Sequence, residues 1–261
     1  MFDHPGRSPF ARPELPEPLA LLAGRSRPVS TLAGEDLLPV LPPFAELLGH
    51  PGVRRGSTVV VAGTDVPGGT SLLLALLAGP SREGAWCALV GASDLGLAAA
   101  AELGVVLSRL LLVPDPGPRP AQVAGALLDG CDLVCVRTPT ALGAPDVRRL
   151  AARARERRTV LVVVTGRLPL PAARRGARSG WPDAPDVRLE VTAGRFSGPG
   201  QGDGRVTAHL VEVTAARRRG APGELRRWLW LPGPDGGVAL AGAGVPPSEA
   251  GTAADRLARA R

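Results

Sequence analysis

Apolar and polar residues alternate along the chain in blocks that predict strands and helices in turn. Between residues 58 and 165, short apolar runs are separated by segments whose apolar residues recur at helical spacing. We expect strands at Thr58–Ala62, Trp86–Val90, Arg109–Val113, Leu133–Val136 and Val160–Thr165, and helices at Ser71–Ala78, Leu95–Leu103, Ala121–Leu128 and Pro145–Arg158. Uninterrupted apolar strands alternating with helices are typical of a mainly parallel sheet that is covered on both faces. The pattern therefore predicts an α/β fold.

The segments that flank this pattern have a different character. Apolar spacing predicts one more helix over Leu37–Leu48, followed by a turn through Gly52–Gly56. Beyond Gly166, runs at Val187–Val191, Arg205–Thr214 and Arg226–Leu231 predict an antiparallel β extension. The resulting organisation is a flexible arm with one short helix-compatible stretch over residues 1–36, a core over 37–238 and a low-complexity tail over 239–261.

Length and charge narrow the class of protein. The 261 residues are 44% apolar, which suits one α/β domain with extensions. No lysine occurs, so all 31 basic residues are arginine, and the net charge is +7. Such a charge fits contact with nucleic acid or with an acidic protein surface, and it equally fits an arginine-rich solvated surface encoded by a GC-biased genome. With no apolar run of 18 residues and no signal-peptide pattern, we expect a cytoplasmic protein without membrane contact.

Cysteines and histidines indicate neither a metal site nor a thiol nucleophile. Cys87, Cys131 and Cys135 are embedded in apolar runs, where buried packing is the usual role. The three histidines are scattered without the spacing of metal ligands. We therefore expect no metal.

The turn after the first strand of the alternating pattern has the outline of a phosphate-binding loop. Such a loop needs glycines that free backbone N–H groups, a lysine that neutralises phosphates, and a Ser or Thr that holds magnesium. Gly63, Gly68 and Thr70 fit this pattern, but Gly69 occupies the lysine position. A glycine-rich turn that never bound phosphate is the alternative interpretation. In either case we expect no bound cofactor.

The order of segments over roughly residues 37–215 resembles the RecA recombinase family. The stretch Gly84–Asp94 is similar to the RecA strand that leads to the glutamate activating the attacking water, and Glu102–Val105 with Arg109–Val113 is similar to the helix end and strand that follow. The resemblance implies a RecA-like P-loop core. It also implies the loss of that glutamate, since Ser93 occupies its position.

Two further groups of the RecA site are missing by the same resemblance. Arg137 stands where RecA carries the aspartate that organises magnesium, and Gly166 stands where it carries the glutamine that senses the γ-phosphate. Phosphoryl transfer depends on positioned charge around phosphates and metal. We therefore expect a pseudo-ATPase without catalytic residues.

Within that broad family, the degenerate loop, Arg54–Ser57, residues 80–104 and Trp228–Pro232 most resemble actinobacterial ImuA-type proteins. That resemblance implies a non-catalytic accessory factor of SOS-induced translesion DNA synthesis. Its implied partners are an ImuB-type inactive Y-family polymerase and an error-prone C-family polymerase, with RecA as a further candidate. An ATP-dependent recombinase-like enzyme and a SulA-like inhibitor of cell division are the alternatives.

Basic and aromatic residues mark two candidate surfaces. Arg174, Arg175 and Arg178 lie where RecA has a mobile loop that contacts single-stranded DNA, and they could provide weak, salt-sensitive DNA contact. The final predicted strand carries Arg226 and Arg227 ahead of Trp228 and Trp230, which alternate with leucines. Core packing explains this alternation, but an exposed tryptophan pair would suit a partner surface.

Overall fold

The computed structural model describes residues 37–62, 68–137, 142–165, 185–198, 206–218 and 224–242. The predicted arm over residues 1–36 and residues 243–261 of the predicted tail lie outside these ranges. Within them the chain forms a small two-stranded sheet and a nine-stranded sheet with helices on both faces.

The first described residues correct a prediction. The segment expected to be one helix begins as strand β1 (Leu37–Pro39), which pairs antiparallel with strand β2 (Gly52–Arg54), and only Pro42–Leu48 forms helix α1. A helix from Leu37 would have placed three prolines within its length, whereas Pro42 now occupies the first turn, where its missing N–H costs nothing. The first three residues of the expected turn at Gly52–Gly56 therefore belong to strand β2.

Six parallel strands form the centre of the large sheet. They are β3 (Thr58–Ala62), β4 (Cys87–Val90), β5 (Leu110–Val113), β6 (Leu133–Val136), β7 (Val160–Thr165) and β8 (Val187–Ser197). Their spatial order is β5, β4, β6, β7, β3, β8. The carboxyl ends of β3, β4, β6 and β7 therefore open on one edge of the sheet, which is where open α/β sheets bind ligands.

An antiparallel extension continues the sheet beyond β8. Strand β9 (Ala208–Arg217) pairs with β8, and β10 (Glu224–Trp230) pairs with β9. A two-residue strand, β11 (Ala239–Leu240), then pairs with Leu229 and Trp230 of β10. The sheet thus reaches past residue 239, where the low-complexity tail was expected to begin.

Four more helices cover the sheet: α2 (Gly69–Arg82), α3 (Leu97–Glu102), α4 (Pro120–Leu127) and α5 (Ala144–Arg157). Helices α1 and α2 pack on one face against Val59 and Val61, and α4 and α5 pack on the other against Val60. Because neighbouring residues of β3 are buried on opposite faces, the strand is apolar from Val59 to Ala62, and only its first residue, Thr58, is polar and hydrogen-bonded to Asp186. The predicted α/β fold, with its mainly parallel sheet and antiparallel extension, is confirmed.

Candidate functional site

The chain leaves β3 toward the position of the degenerate phosphate loop. Gly63 and the next four residues lie outside the described ranges, and the chain is described again from Gly68, which precedes α2 with a φ of 139°. Helix α2 begins at Gly69 without a side-chain cap and without an acidic residue in its first turn, and Leu72 N–H donates to the Gly68 carbonyl at 2.8 Å. The N-terminus of α2 therefore follows the loop that leaves the carboxyl end of β3.

The two glycines at this helix start have different surroundings. A Cβ on Gly68 would lie 3.1 Å from Val211 Cγ1 and 3.2 Å from His209 Cε1, whereas a Cβ on Gly69 would meet no atom of the described residues within 4 Å. Gly68 is therefore required by packing and by backbone conformation. Gly69 is not, so the local packing leaves room for the beginning of a side chain at the lysine position. Thr70, the residue at the position of the magnesium ligand, is exposed.

Arg137 lies at the carboxyl end of β6, as the sequence predicted, and its backbone N–H donates to the Val90 carbonyl of β4 at 2.8 Å. Its guanidinium donates two hydrogen bonds to the carboxylate of Asp94, of which Nη2 to Oδ2 is 2.9 Å. The hydrogen bond from Arg137 lowers the pKa of Asp94 below its usual value. The sequence interpretation identified Arg137 but not its partner. Ser93, next to Asp94, is exposed.

His209 also lies against Gly68, and no sequence pattern had indicated this residue. Its ring stacks on Phe196, with centroids 4.0 Å apart and planes inclined by 18°. The residue is buried, and its Nε2 has no hydrogen-bond partner among the described residues. Burial lowers the pKa of the imidazole to about 4. A neutral ring therefore lies against Gly68, where it offers no positive charge to a phosphate at neutral pH.

Metal chemistry finds no support among the described residues. No three of their His, Cys, Asp and Glu side chains come together in a group able to hold a metal ion. Cys87, Cys131 and Cys135 are buried free thiols, and burial raises the pKa of all three, that of Cys131 to about 12. They are protonated core residues, which agrees with the sequence interpretation.

The two predicted contact surfaces have different outcomes. Arg174, Arg175 and Arg178 lie outside the described residues, as does Gly166. On β10, Arg226 and Arg227 are exposed and the two tryptophans, Trp228 and Trp230, are partly buried, whereas Leu229 and Leu231 are fully buried. The leucines therefore form the core side of the alternation.

One face of the antiparallel extension carries these tryptophans, and its central strand is buried there, since Leu210 is 2% and Thr214 8% exposed. Since side chains alternate along a strand, Arg226, Trp228 and Trp230 share the face opposite Leu229. The hydrophobic cluster that α4 and α5 cover on that side of the sheet has no member on β8, β9 or β10. Arg226 Nη1 lies 3.7 Å from Glu212 Oε1, and Glu212 also accepts a 2.6 Å hydrogen bond from Thr192. The face thus combines aromatic rings with a paired charge network.

Helix α5 carries the densest run of arginines among the described residues. Arg153 and Arg157 both pair with Asp129, and Arg149 pairs with Asp146. Part of this positive charge is therefore neutralised within the chain, as expected for a solvated helix face.

Comparisons with known proteins give this arrangement a family context. A family model described as the MT3502 N-terminal domain matches residues 46–170. The uncharacterized protein Rv3395c of Mycobacterium tuberculosis is 38% identical over 161 residues, which cover 56% of this chain and 77% of that protein.

RecA proteins match a shorter segment. RecA of Rickettsia africae is 32% identical over 99 residues, and RecA of Streptococcus agalactiae is 37% identical over 99 residues. These matches cover 36% of this chain, 29% of the first RecA and 26% of the second. The similarity thus includes about a quarter to a third of RecA's length, and it agrees with a RecA-like α/β core.

Proposed function

The chain belongs to the family of the mycobacterial protein Rv3395c, and from this premise we propose that it is a non-catalytic RecA-like accessory factor of SOS-induced translesion DNA synthesis. In this role it acts through protein contacts of the ImuA type, with an ImuB-type inactive Y-family polymerase and an error-prone C-family polymerase. Weak contact with DNA or with RecA is a secondary part of the proposal. Family membership, the RecA-related segment and the composition of the loop region support it.

The observation that carries the proposal is the ion pair between Arg137 and Asp94. A guanidinium at the end of β6 opposes a magnesium ion there, and its bidentate pairing with Asp94 makes that carboxylate a poor metal ligand. Gly69 supplies no charge at the other side of the loop. Both observations argue against the charge arrangement that phosphoryl transfer requires.

Nucleotide binding tests the absence of catalysis. We expect calorimetric titration of the full chain with ATP and magnesium to give no heat of binding, and steady-state assays to give no turnover above background. The variant Gly69→Lys restores the missing cation at a position with open space and should still give no turnover, because Ser93 and Arg137 remain. Turnover by the unaltered chain that is lost in Thr70→Ala would overturn the proposal in favour of a recombinase-like ATPase.

The tryptophan-bearing face of the antiparallel extension is the proposed partner surface. Trp228 and Trp230 provide partly exposed aromatic area on a sheet face that none of the described helices covers, and aromatic residues of this kind dominate binding energy at interfaces. Arg226 supplies positive charge on the same face, whereas Arg227, although exposed, lies on the face of Leu229. The surface therefore suits an acidic, apolar region of the ImuB-type partner.

Co-purification tests this surface. We expect Trp228→Ala combined with Arg226→Glu to lose co-purification with an ImuB-type protein. The matched control, Arg119→Glu, changes an exposed arginine at the start of α4, outside the antiparallel extension, and should retain it. Thermal unfolding must show that both variants are folded. Normal co-purification of the folded double variant would exclude this face as the partner surface.

A further inference from the structure

A concave site lies at the amino ends of β3 and β8, at the end of the sheet opposite to the position of the degenerate phosphate loop. It is a cavity of about 220 Å³ between the α1–β2 segment and the amino ends of β3 and β8. The residues that line it include Leu48, His50, Gly52, Val53, Asp186 and Arg217. None of the groups assigned to the proposed function lies among them.

The walls of this cavity are largely apolar. Leu48 and Val53 are buried, and Leu37 and Val187, which also line the cavity, are half-buried. Gly52 allows the narrow spacing, because a Cβ there would lie 2.5 Å from the Leu38 carbonyl oxygen. An apolar group of a ligand can therefore be enclosed here.

Arg217 places a positive charge at this apolar site. No described residue forms a hydrogen bond or an ion pair with its guanidinium. The carboxylate that lines the cavity together with Arg217 is that of Asp186, and it already has other partners. Its Oδ2 accepts a hydrogen bond from Thr58 N–H at 3.0 Å, and its Oδ1 lies 3.1 Å from Arg218 Nη2. The Arg217 guanidinium thus has no acidic partner in the described part of the chain and can pair with the acidic group of a ligand.

The turn after α1 supports this position of the guanidinium. A Cβ on Gly49, which has a left-handed φ of 60°, would lie 3.4 Å from Arg217 Nη1, so the glycine leaves room for the guanidinium. The next residue, His50, places Nδ1 3.2 Å from the Gly52 carbonyl oxygen. Its second ring nitrogen remains as a further donor or acceptor at the cavity.

We propose that this cavity binds a ligand that has an apolar group and a carboxylate. The apolar group lies between Leu48 and Val53, and the carboxylate pairs with the guanidinium of Arg217. The volume of the cavity is below the range of roughly 300–1,000 Å³ that is usual for drug-sized ligands. It suits a single aliphatic side chain with its acid. The carboxyl-terminal residue of a partner polypeptide and a free short-chain acid share this chemistry.

Binding of defined probes tests the site. The full chain is titrated in a calorimeter with the peptide Gly-Gly-Leu, with its carboxyl-terminal amide and with 4-methylpentanoate. We expect the free acid to bind at least about tenfold more tightly than the amide, because a bidentate charge-assisted pair is lost in the amide. A tighter peptide indicates a polypeptide terminus as the source, and equal binding of peptide and 4-methylpentanoate indicates a small acid. Either result supports the site.

Two variants connect the binding to Arg217. Arg217→Gln should weaken Gly-Gly-Leu by about tenfold or more, and Arg217→Lys should weaken it less, because the charge remains without the planar fork. The matched control Arg195→Gln should leave affinity unchanged. Equal affinity for acid and amide, full affinity in folded Arg217→Gln, or no binding of any probe would each overturn the proposal. ATP binding and partner co-purification are read separately, so failure here leaves the proposed function intact.

Discussion

The guanidinium of Arg137 and the carboxylate of Asp94 are joined by two hydrogen bonds across the carboxyl ends of β6 and β4. Arg137 follows the last residue of β6, and Asp94 lies four residues beyond the end of β4. The pair thus occupies the edge of the sheet where α/β proteins bind ligands. A chain that pairs its own charges there has less free charge for a nucleotide or a metal.

We expect Arg137→Gln to raise the pKa of Asp94 toward its ordinary value of 3.8, because the hydrogen bond from Arg137 is the largest cause of its lowering. Titration of the side-chain carboxyl carbon by NMR measures this. The free energy of unfolding should change by less than about 1 kcal/mol, since the Asp94 side chain is 66% exposed and exposed pairs contribute little. As a control, Arg149→Gln breaks the pair with Asp146 and should leave the Asp94 titration unaltered.

The two glycines at the start of α2 form a matched pair for a stability test. Gly68→Ala should lower the free energy of unfolding by about 1–3 kcal/mol, because its φ of 139° is strained for alanine and the methyl group would approach Val191, His209 and Val211. Gly69→Ala should be neutral or stabilising by up to about 1 kcal/mol, since alanine has the higher helix propensity and open space surrounds it. Denaturant unfolding measures both. Equal losses would contradict the described geometry.

The sequence predicted the parallel part of the fold well for a physical reason. Strands buried on both faces are apolar along almost their whole length, so β3, β6 and β7 have the predicted bounds without change. The segment from Leu37 failed because Leu38, Leu41 and Leu48 are all buried, although they belong to a strand, a connection and a helix. Burial created an apparent helical spacing, and the prolines were the better guide.

The candidate site was predictable only where it depends on single positions. Gly69, Ser93 and Arg137 stand out because a known pattern assigns a role to each place. Asp94 did not, because its importance depends on a partner 43 residues away. His209 was hidden for a similar reason. It lies on the core face of β9 together with Val211 and Val213, and nothing in that local pattern indicates that it contacts Gly68.

The ion pair between Arg55 and Asp132 provides a test of buried charge in the core. Arg55 Nη1 lies 2.8 Å from Asp132 Oδ1, with both side chains about nine-tenths buried, and Asp132 Oδ2 accepts from Trp86 N–H at 3.0 Å. Asp132→Ala should cost about 3–5 kcal/mol of unfolding free energy, because it leaves the Arg55 guanidinium buried without its counter-charge. Asp129→Ala, which removes a surface carboxylate, should cost less than about 1 kcal/mol. Similar costs in denaturant unfolding would contradict this difference.

Protonation of His209 should make the protein less stable in mild acid. Its pKa is about 4 in the folded chain against 6.5 for an unhindered imidazole, so the unfolded chain takes up the proton first as the pH falls. The contribution of neutral His209 to the free energy of unfolding is fully present above pH 6.5. It declines as the pH falls to about 4, by about 3 kcal/mol in total at 1.36 kcal/mol per pKa unit. His209→Leu removes the titrating group and an unpartnered buried nitrogen, so its stability at pH 7 should be similar to or higher than that of the unaltered chain. Urea unfolding of both proteins at intervals between pH 7 and pH 4 measures the difference. Parallel curves would show that His209 is not held neutral beside Gly68.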